Sequence, residues 1–154
     1  MPLAHVNIGS NLGDSRANVT RAAELIAERL GVAVRYADIV VSEPWGYSSP
    51  NPFVNLGIVF DTDLAPLHLL RILRGIEADI SPASHRKADG SYADRLIDID
   101  LIAVGNTVMD TEELTLPHPR MHLRDFVLRP MARLDPEWHH PAFGLTASEL
   151  LARL

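Results

Sequence analysis

The sequence Tyr92-Ala-Asp-Arg-Leu-Ile-Asp-Ile-Asp-Leu-Ile102 places two carboxylates inside an apolar run. Because side chains alternate along a β-strand, this run has an acidic face, with Asp98 and Asp100, and an apolar face. The apolar face holds Ile97, Ile99, Leu101 and Ala103. Two like charges on one face repel, so a hard divalent cation is their natural partner. The alternative is a solvated edge strand whose aspartates have no special role.

The residues before this strand are polar and partly basic. Arg95 precedes the apolar run and could hold an anionic group against a bound cation, as phosphate chemistry requires. Upstream, the stretch from Ser81 to Ser91 is small, polar and cationic in its middle, with no hydrophobic periodicity. We therefore predict a mobile loop that closes over phosphates and excludes water.

Length and composition narrow the class of protein. The 154 residues suit one domain with a single core, and the absence of cysteine excludes disulfides and a thiolate nucleophile. The sequence shows no leader pattern and no run of about eighteen apolar residues, so we expect a soluble, cytoplasmic protein. The net charge of −6 argues against a general nucleic-acid or anionic-membrane surface.

The segment from His118 to Arg133 departs from this acidic balance. Its positive or histidine side chains outnumber the single acid Asp125; they are His118, Arg120, His122, Arg124, Arg129 and Arg133. Such a patch favours a small anionic ligand, although a solvated helix face accounts for it equally well.

Hydrophobic periodicity predicts the other elements. Strands are expected at Leu3–Gly9, Val32–Val41 and Phe53–Phe60, and the acidic strand turns at Gly105 and returns through Thr107–Met109. Helices are expected from Asp14 or Ser15 to Leu30, from Asp63 or Pro66 to Ile80, and from His122 to Leu134 with an interruption near Pro130. The sequence has no G-x-x-x-x-G-K-[ST], which excludes a P-loop kinase.

The strand Phe53–Phe60 has a face that could build a binding site. Phe53, Asn55 and Gly57 alternate along that face. An aromatic ring, an amide and a glycine in this order can stack on a flat heterocycle and hydrogen-bond its edge. These residues alone favour the alternative, in which Phe53 belongs to the core and Asn55 is a satisfied buried polar group.

Four stretches, taken in order, resemble the 6-hydroxymethyl-7,8-dihydropterin pyrophosphokinase family. They are Ile8-Gly-Ser-Asn-Leu-Gly-Asp14, Ser42-Glu-Pro-Trp-Gly46 with Phe53-Val-Asn55, Arg95-Leu-Ile-Asp-Ile-Asp100, and Leu116-Pro-His-Pro-Arg120 with Arg124-Asp-Phe126. The resemblance spans essentially the whole chain. No single stretch is decisive, but their order and spacing together are highly specific.

The resemblance implies a fold, an activity and a set of partners. The fold would be α+β and ferredoxin-like, with a mainly antiparallel sheet flanked by helices on both sides, as one domain over residues 1–154. The activity would transfer a diphosphate from ATP to the hydroxymethyl group of the pterin and release AMP, with two Mg²⁺ ions. The partners would be these small molecules, without nucleic acid or membrane, and the protein would be a monomer.

The resemblance also implies roles for individual residues. Mg²⁺ would be bound by Asp98 and Asp100. The pterin would contact Ser42, Pro44, Trp45, Phe53, Asn55 and Phe126, with the two phenylalanines on opposite ring faces. Phosphate oxygens would be held by Arg86, Arg95, His118 and Arg124. The nucleotide pocket would be lined by Arg74, Glu77, Tyr92, Leu101 and Thr115.

Two positions depart from the family pattern. Ser84 stands where the family usually has the first arginine of the loop, so that contact would be either missing or supplied by Arg86. Glu113 stands where some members have an arginine near the nucleotide. A non-catalytic pterin- or nucleotide-binding relative is therefore the alternative function, and a magnesium-dependent phosphohydrolase is a third, which rests on the two aspartates alone.

Overall fold

The computed structural model describes residues 1–43, 51–81 and 96–154. In these ranges the chain forms a five-stranded antiparallel sheet and a separate two-stranded ribbon. The sheet strands are β1 (Leu3–Ser10), β2 (Arg35–Tyr36), β3 (Val40–Ser42), β4 (Phe53–Asp61) and β5 (Asp98–Val104). The ribbon consists of β6 (Met109–Asp110) and β7 (Thr115–Leu116). Sheet order is β2-β4-β1-β5, and β3 pairs with the first half of β4.

Four α-helices lie in the described ranges. They are α1 (Ser15–Leu30), α2 (Pro66–Ile80), α3 (Asp125–Leu134) and α4 (Ala147–Leu151), with a 3₁₀ turn at Met121–Leu123. The boundaries of α1 are those expected from its sequence, because the Asp14 side chain accepts from the Ala17 N–H and Gly31 ends the helix at φ 64°. Helix α2 begins at Pro66 rather than at Asp63.

The helices cover both faces of the sheet. Helices α1 and α2 pack on one face, where Val6, Ile8, Ile58 and Phe60 are buried in a large apolar cluster. Helices α3 and α4 contribute to a second apolar cluster, which also contains Ile102 and Ala103 of β5. The predicted α+β architecture, an antiparallel sheet with helices on both sides, is confirmed.

Several predictions about single elements are wrong. The expected strand Val32–Val41 is two short strands, β2 and β3, which pair with different halves of β4. Of the expected return segment Thr107–Met109, only Met109 lies in a strand, and it pairs with Leu116 of β7 and not with β5. Helix α3 runs through Pro130 without interruption. An interior proline disfavours a helix, but the Pro130 ring packs closely on Gly57 of β4, which offsets this cost.

The predicted direction of Ala103 is also wrong. The pairing of β1 with β5 shifts register between His5 and Val6, so that Val6 pairs with Leu101 while His5 pairs with Ala103. One extra residue, Ile102, therefore bulges out of the ladder. Beyond it the alternation reverses, and Ala103 lies on the face that carries Asp98 and Asp100.

Crossing a bilayer would need a longer and more apolar helix than any found in the described ranges.

Candidate active site

On one face of the sheet, residues predicted to bind the pterin lie near residues predicted to bind the metal. Asn55 pairs with Gly9, and Gly9 pairs with Asp98, so these three residues form a row across β4, β1 and β5. Paired residues of antiparallel strands have their side chains on the same face. Asn55 and Asp98 therefore face the same way two strand spacings apart, or roughly 10 Å. Gly9, between them, has no side chain, and the Phe53 ring lies close above it.

The next row continues the same face. Gly57 pairs with Asn7, and Asn7 pairs with Asp100. The two aspartates thus lie side by side at one edge of the sheet, as the sequence predicted, and both are partly exposed. Asn7 was not predicted as a site residue, although alternation in β1 places it on the same face as Gly9.

The orientation of Asn55 is set by its amide nitrogen. Nδ2 donates to the carbonyl of Val40 (3.1 Å) and to the Ser42 hydroxyl (2.8 Å). Within the described residues no group donates to Oδ1, which points toward Gly9: a Cβ added there would lie 3.5 Å from it and 3.4 Å from the Phe53 ring. Asn55 therefore presents an acceptor, and Phe53 a ring, to a molecule lying over Gly9.

Helix α3 carries the predicted residues that cover this face. Phe126 is in its first turn, and Arg124 is its N-cap residue. The Arg124 guanidinium lies 5.7 Å from the centre of the Phe126 ring, and its Nη1 is 3.9 Å from Oδ2 of Asp100. Because Arg124 is 12% exposed, its charge acts in a poorly screened environment between the aromatic end of the site and the aspartates.

A cleft of about 220 Å³ opens beside Asp100. Five predicted residues line it: Arg74, Asp100, Leu101, Thr115 and His118. Further lining comes from residues that were not given a role, among them Leu70, Glu112 and Pro119. Glu113 also lines the cleft, and its carboxylate is 3.4 Å from Arg71. The cleft therefore unites residues predicted for metal, phosphate and nucleotide contacts.

His118 is held as a neutral ring at the cleft. Its backbone N–H donates to the Ile102 carbonyl (2.8 Å), and its Nδ1 accepts from the Arg120 N–H (3.2 Å). Burial, and then the positive charges of Arg124, Arg120 and Arg74, lower the pKa of His118 from 6.5 to about 4. With Nδ1 occupied as an acceptor, the proton of the neutral ring is on Nε2, which can donate to a phosphate oxygen.

Glu77 and Arg74 contact the backbone of the acidic strand. The Ile99 N–H donates to Oε2 of Glu77 (2.6 Å), and Nη1 of Arg74 donates to the Ile99 carbonyl (2.7 Å). The two side chains also pair with each other at 2.9 Å. Glu77 was predicted to line the nucleotide pocket, but it is not among the residues that line the cleft.

Five predicted site residues lie outside the described residues: Pro44, Trp45, Arg86, Tyr92 and Arg95. The same holds for Ser84 and for most of the predicted mobile loop. Asn11, in the first stretch of the family pattern, was given no role. Its Nδ2 donates to the Asn51 carbonyl (3.1 Å) and so ties the segment after β1 to the start of β4.

Relatives of known name resemble the whole chain. A 2-amino-4-hydroxy-6-hydroxymethyldihydropteridine pyrophosphokinase of Porphyromonas gingivalis is 35% identical over 142 residues, which cover 92% of this chain and 95% of the relative. Enzymes of the same name are 35% identical in Methylorubrum extorquens, covering 100% and 94%, and 31% identical in Bacillus subtilis, covering 86% and 77%.

A solved structure shares the fold. A crystal structure described as HPPK-DHPS in complex with substrates matches 99% of this chain with a TM-score of 0.72 at 15% identity. The match covers 43% of that longer chain. A sequence model of the family 7,8-dihydro-6-hydroxymethylpterin-pyrophosphokinase matches residues 5–136. Because this match and the relatives above 30% identity cover most of its length, the chain belongs to the 7,8-dihydro-6-hydroxymethylpterin-pyrophosphokinase (HPPK) family.

Proposed function

We propose that this member of the family carries out its reaction over the row formed by Asn55, Gly9 and Asp98. The reaction is the transfer of a diphosphate from ATP to the hydroxymethyl group of 6-hydroxymethyl-7,8-dihydropterin, with release of AMP, in folate biosynthesis. The observation that carries the proposal is the register that joins an amide, a glycine and an aspartate across three strands.

The pterin is proposed to lie at the Asn55 end of this row. Phe53 and Phe126 would stack on its two faces, and Oδ1 of Asn55 would accept from a ring N–H. Ser42 acts indirectly, because its hydroxyl holds Asn55 in this orientation. Since Gly9 has no side chain, the hydroxymethyl arm can extend over it toward Asp98.

Asp98 and Asp100 fit Mg²⁺ in their chemistry. They are partly exposed oxygen donors on one face of the sheet. In the described ranges, no group of three or more acidic or histidine side chains could enclose a metal ion. Mg²⁺ is usually bound by one or two carboxylates and completes its shell with water and substrate phosphates. When bound, the two ions expected for the family would polarise and neutralise phosphate oxygens.

Besides the metal ions, the positive charge that faces the triphosphate comes from arginine side chains and not from histidine. Arg124 lies close to Asp100, and Arg74 reaches the cleft from α2. His118 is neutral at pH 7 in the nucleotide-free protein and contributes an Nε2–H donor. Fixed donors aimed at the triphosphate can stabilise the charge that develops on its oxygens during transfer.

The alternative of a non-catalytic binding relative rested on Ser84. Relatives of 31–35% identity that are named pyrophosphokinases favour the catalytic function. We further propose that residues 1–154 act as a single domain and as a monomer on small-molecule substrates. The burial of both faces of one sheet by the four helices supports a single structural unit.

The test is AMP formation from ATP, Mg²⁺ and the reduced pterin by the parent, Asp98→Asn and Asp100→Asn. Each variant should lose activity by about 100-fold or more, because a missing charge-stabilising contact commonly costs two to three orders of magnitude. Asp79→Asn is the matched control, since Asp79 pairs with Arg29 on the exposed side of α2. Near-parent activity in either site variant would refute the assignment, as would AMP formation without pterin.

A further inference from the structure

The acidic strand β5 is an edge of the sheet within the described residues. Residues of a strand direct their backbone polar groups alternately to either side. The N–H and the carbonyl of Ile99, between the two aspartates, point away from β1 and bond to Glu77 and Arg74 of α2. At Ile99, these two side chains make the hydrogen bonds that a neighbouring strand would otherwise make.

The burial of Glu77 is compensated by the contacts that its carboxylate makes with β5 and Arg74. Glu77 is 5% exposed, and a buried carboxylate is unfavourable unless it is paired and hydrogen-bonded. Both of its oxygens are engaged, Oε2 by the Ile99 N–H and Oε1 by Arg74. An apolar residue there would pack beside Leu73, one turn earlier in the same helix, but it would leave the Ile99 N–H without this acceptor.

We propose that Glu77, together with Arg74, is a positioning residue that holds Asp98 and Asp100 in register for metal binding. This inference rests on the proposed role of the two aspartates. The spacing and direction of their carboxylates depend on the backbone at Ile99, which is flanked by both. Mg²⁺ demands near-ideal octahedral geometry, so a loosened edge strand would weaken its binding. Loss of a group that orients metal ligands typically costs about 10–100-fold in metal affinity.

Two other roles for Glu77 predict different results. If its carboxylate contacts the nucleotide, removing it should change nucleotide affinity even in the absence of divalent metal. If it only supports the fold, removing it should lower the melting temperature without a selective loss of metal affinity. Replacing Arg74 would separate these roles less clearly than replacing Glu77, because Arg74 is half-exposed and also lines the cleft.

The experiment uses the full chain and Mn²⁺ as a spectroscopic substitute for Mg²⁺. Mn²⁺ binding is measured by paramagnetic resonance in the presence of ATP with a methylene bridge between the α- and β-phosphorus atoms. The variants are Glu77→Ala, Glu77→Gln and the control Asp79→Ala, which removes an exposed acid from the same helix. Pterin affinity by calorimetry and hydrogen exchange of the Ile99 amide by NMR complete the set.

Glu77→Ala should weaken Mn²⁺ binding by about 10–100-fold and speed exchange of the Ile99 amide, with pterin affinity unchanged within about two-fold. Glu77→Gln keeps a carbonyl acceptor for the Ile99 N–H and should recover most of the affinity. Parent-like Mn²⁺ binding in Glu77→Ala, or a loss equal to that of Asp79→Ala, would overturn the proposal.

Other variants distinguish the remaining outcomes. If Glu77→Ala does not fold, the parent and Glu77→Gln suffice: rapid exchange of the Ile99 amide in the folded parent would overturn the proposed contact. Asp98→Asn and Asp100→Asn separate this inference from the proposed function. If they retain Mn²⁺ binding, the metal assignment fails; if they lose it while Glu77→Ala does not, only the positioning role fails.

Discussion

Replacing Gly57 by alanine tests how α3 is seated on the active-site face. A Cβ at this position would lie 2.2 Å from Cβ and 2.8 Å from Cγ of Pro130, whereas carbon atoms in contact are about 3.5–4.0 Å apart. Helix α3 must therefore retreat by more than about 1 Å or the strand must bend. Phe126 lies four residues before Pro130, on the same helix face, and would retreat with it.

The magnitude follows from the cost of overpacking. Extra carbon atoms in a well-packed core typically cost about 1–3 kcal/mol, and in a protein of this size each kcal/mol lowers the melting temperature by about 2–4 °C. We expect Gly57→Ala to melt about 2–12 °C below the parent. Pterin affinity should fall as well, because Phe126 would move away from the pterin face on which it is proposed to stack.

The matched control is Gly75→Ala in α2. No described atom lies within 4 Å of a Cβ placed there, so the change adds helix propensity of about 1 kcal/mol without a clash. Differential scanning calorimetry gives the melting temperatures, and titration calorimetry gives the pterin affinity. Parent-like values of both in Gly57→Ala would refute the seating of α3 on Gly57. A lower melting temperature with unchanged affinity would show that Phe126 is placed by other contacts.

Two further predictions concern single site residues. In the nucleotide-free protein, His118 binds its proton only near pH 4, whereas the unfolded chain binds it near 6.5, so stability should fall as pH is lowered through this window. The loss is up to roughly 3 kcal/mol, and urea unfolding at pH 4.5 and 7.5 should show a flatter dependence in His118→Asn. Asn55→Ala should weaken pterin binding by about 1–3 kcal/mol, and parent-like affinity in calorimetry would place the pterin elsewhere.

Alternation along single strands made much of the active-site face predictable. It placed Asp98 and Asp100 on one side of β5, and Phe53 and Asn55 on one side of β4, and the structure keeps both patterns. The boundaries of α1 were predictable because Asp14 and Gly31 act locally. Such signals need no knowledge of distant residues.

What periodicity could not supply is the partner of each strand. Nothing in β4 or β5 alone states that β1 lies between them or that Gly9 falls opposite both Asn55 and Asp98. The burial of Glu77 against β5 was equally hidden, because a glutamate in a helix usually faces solvent. Its contact with Ile99 depends on a tertiary arrangement across 22 residues of chain.

The bulge at Ile102 gives this face its boundary. Before the bulge, Ile99 and Leu101 of β5, like Ile97 just ahead of the strand, are buried in the core beneath α1 and α2. The two aspartates of β5 face the site. After it, Ile102 and Ala103 belong to the apolar cluster beneath α3 and α4. A strand of uninterrupted alternation would have placed Ala103 with the first core. The extra residue therefore lets β5 supply carboxylates to the site and, further along, apolar side chains to the cluster against which α3 packs.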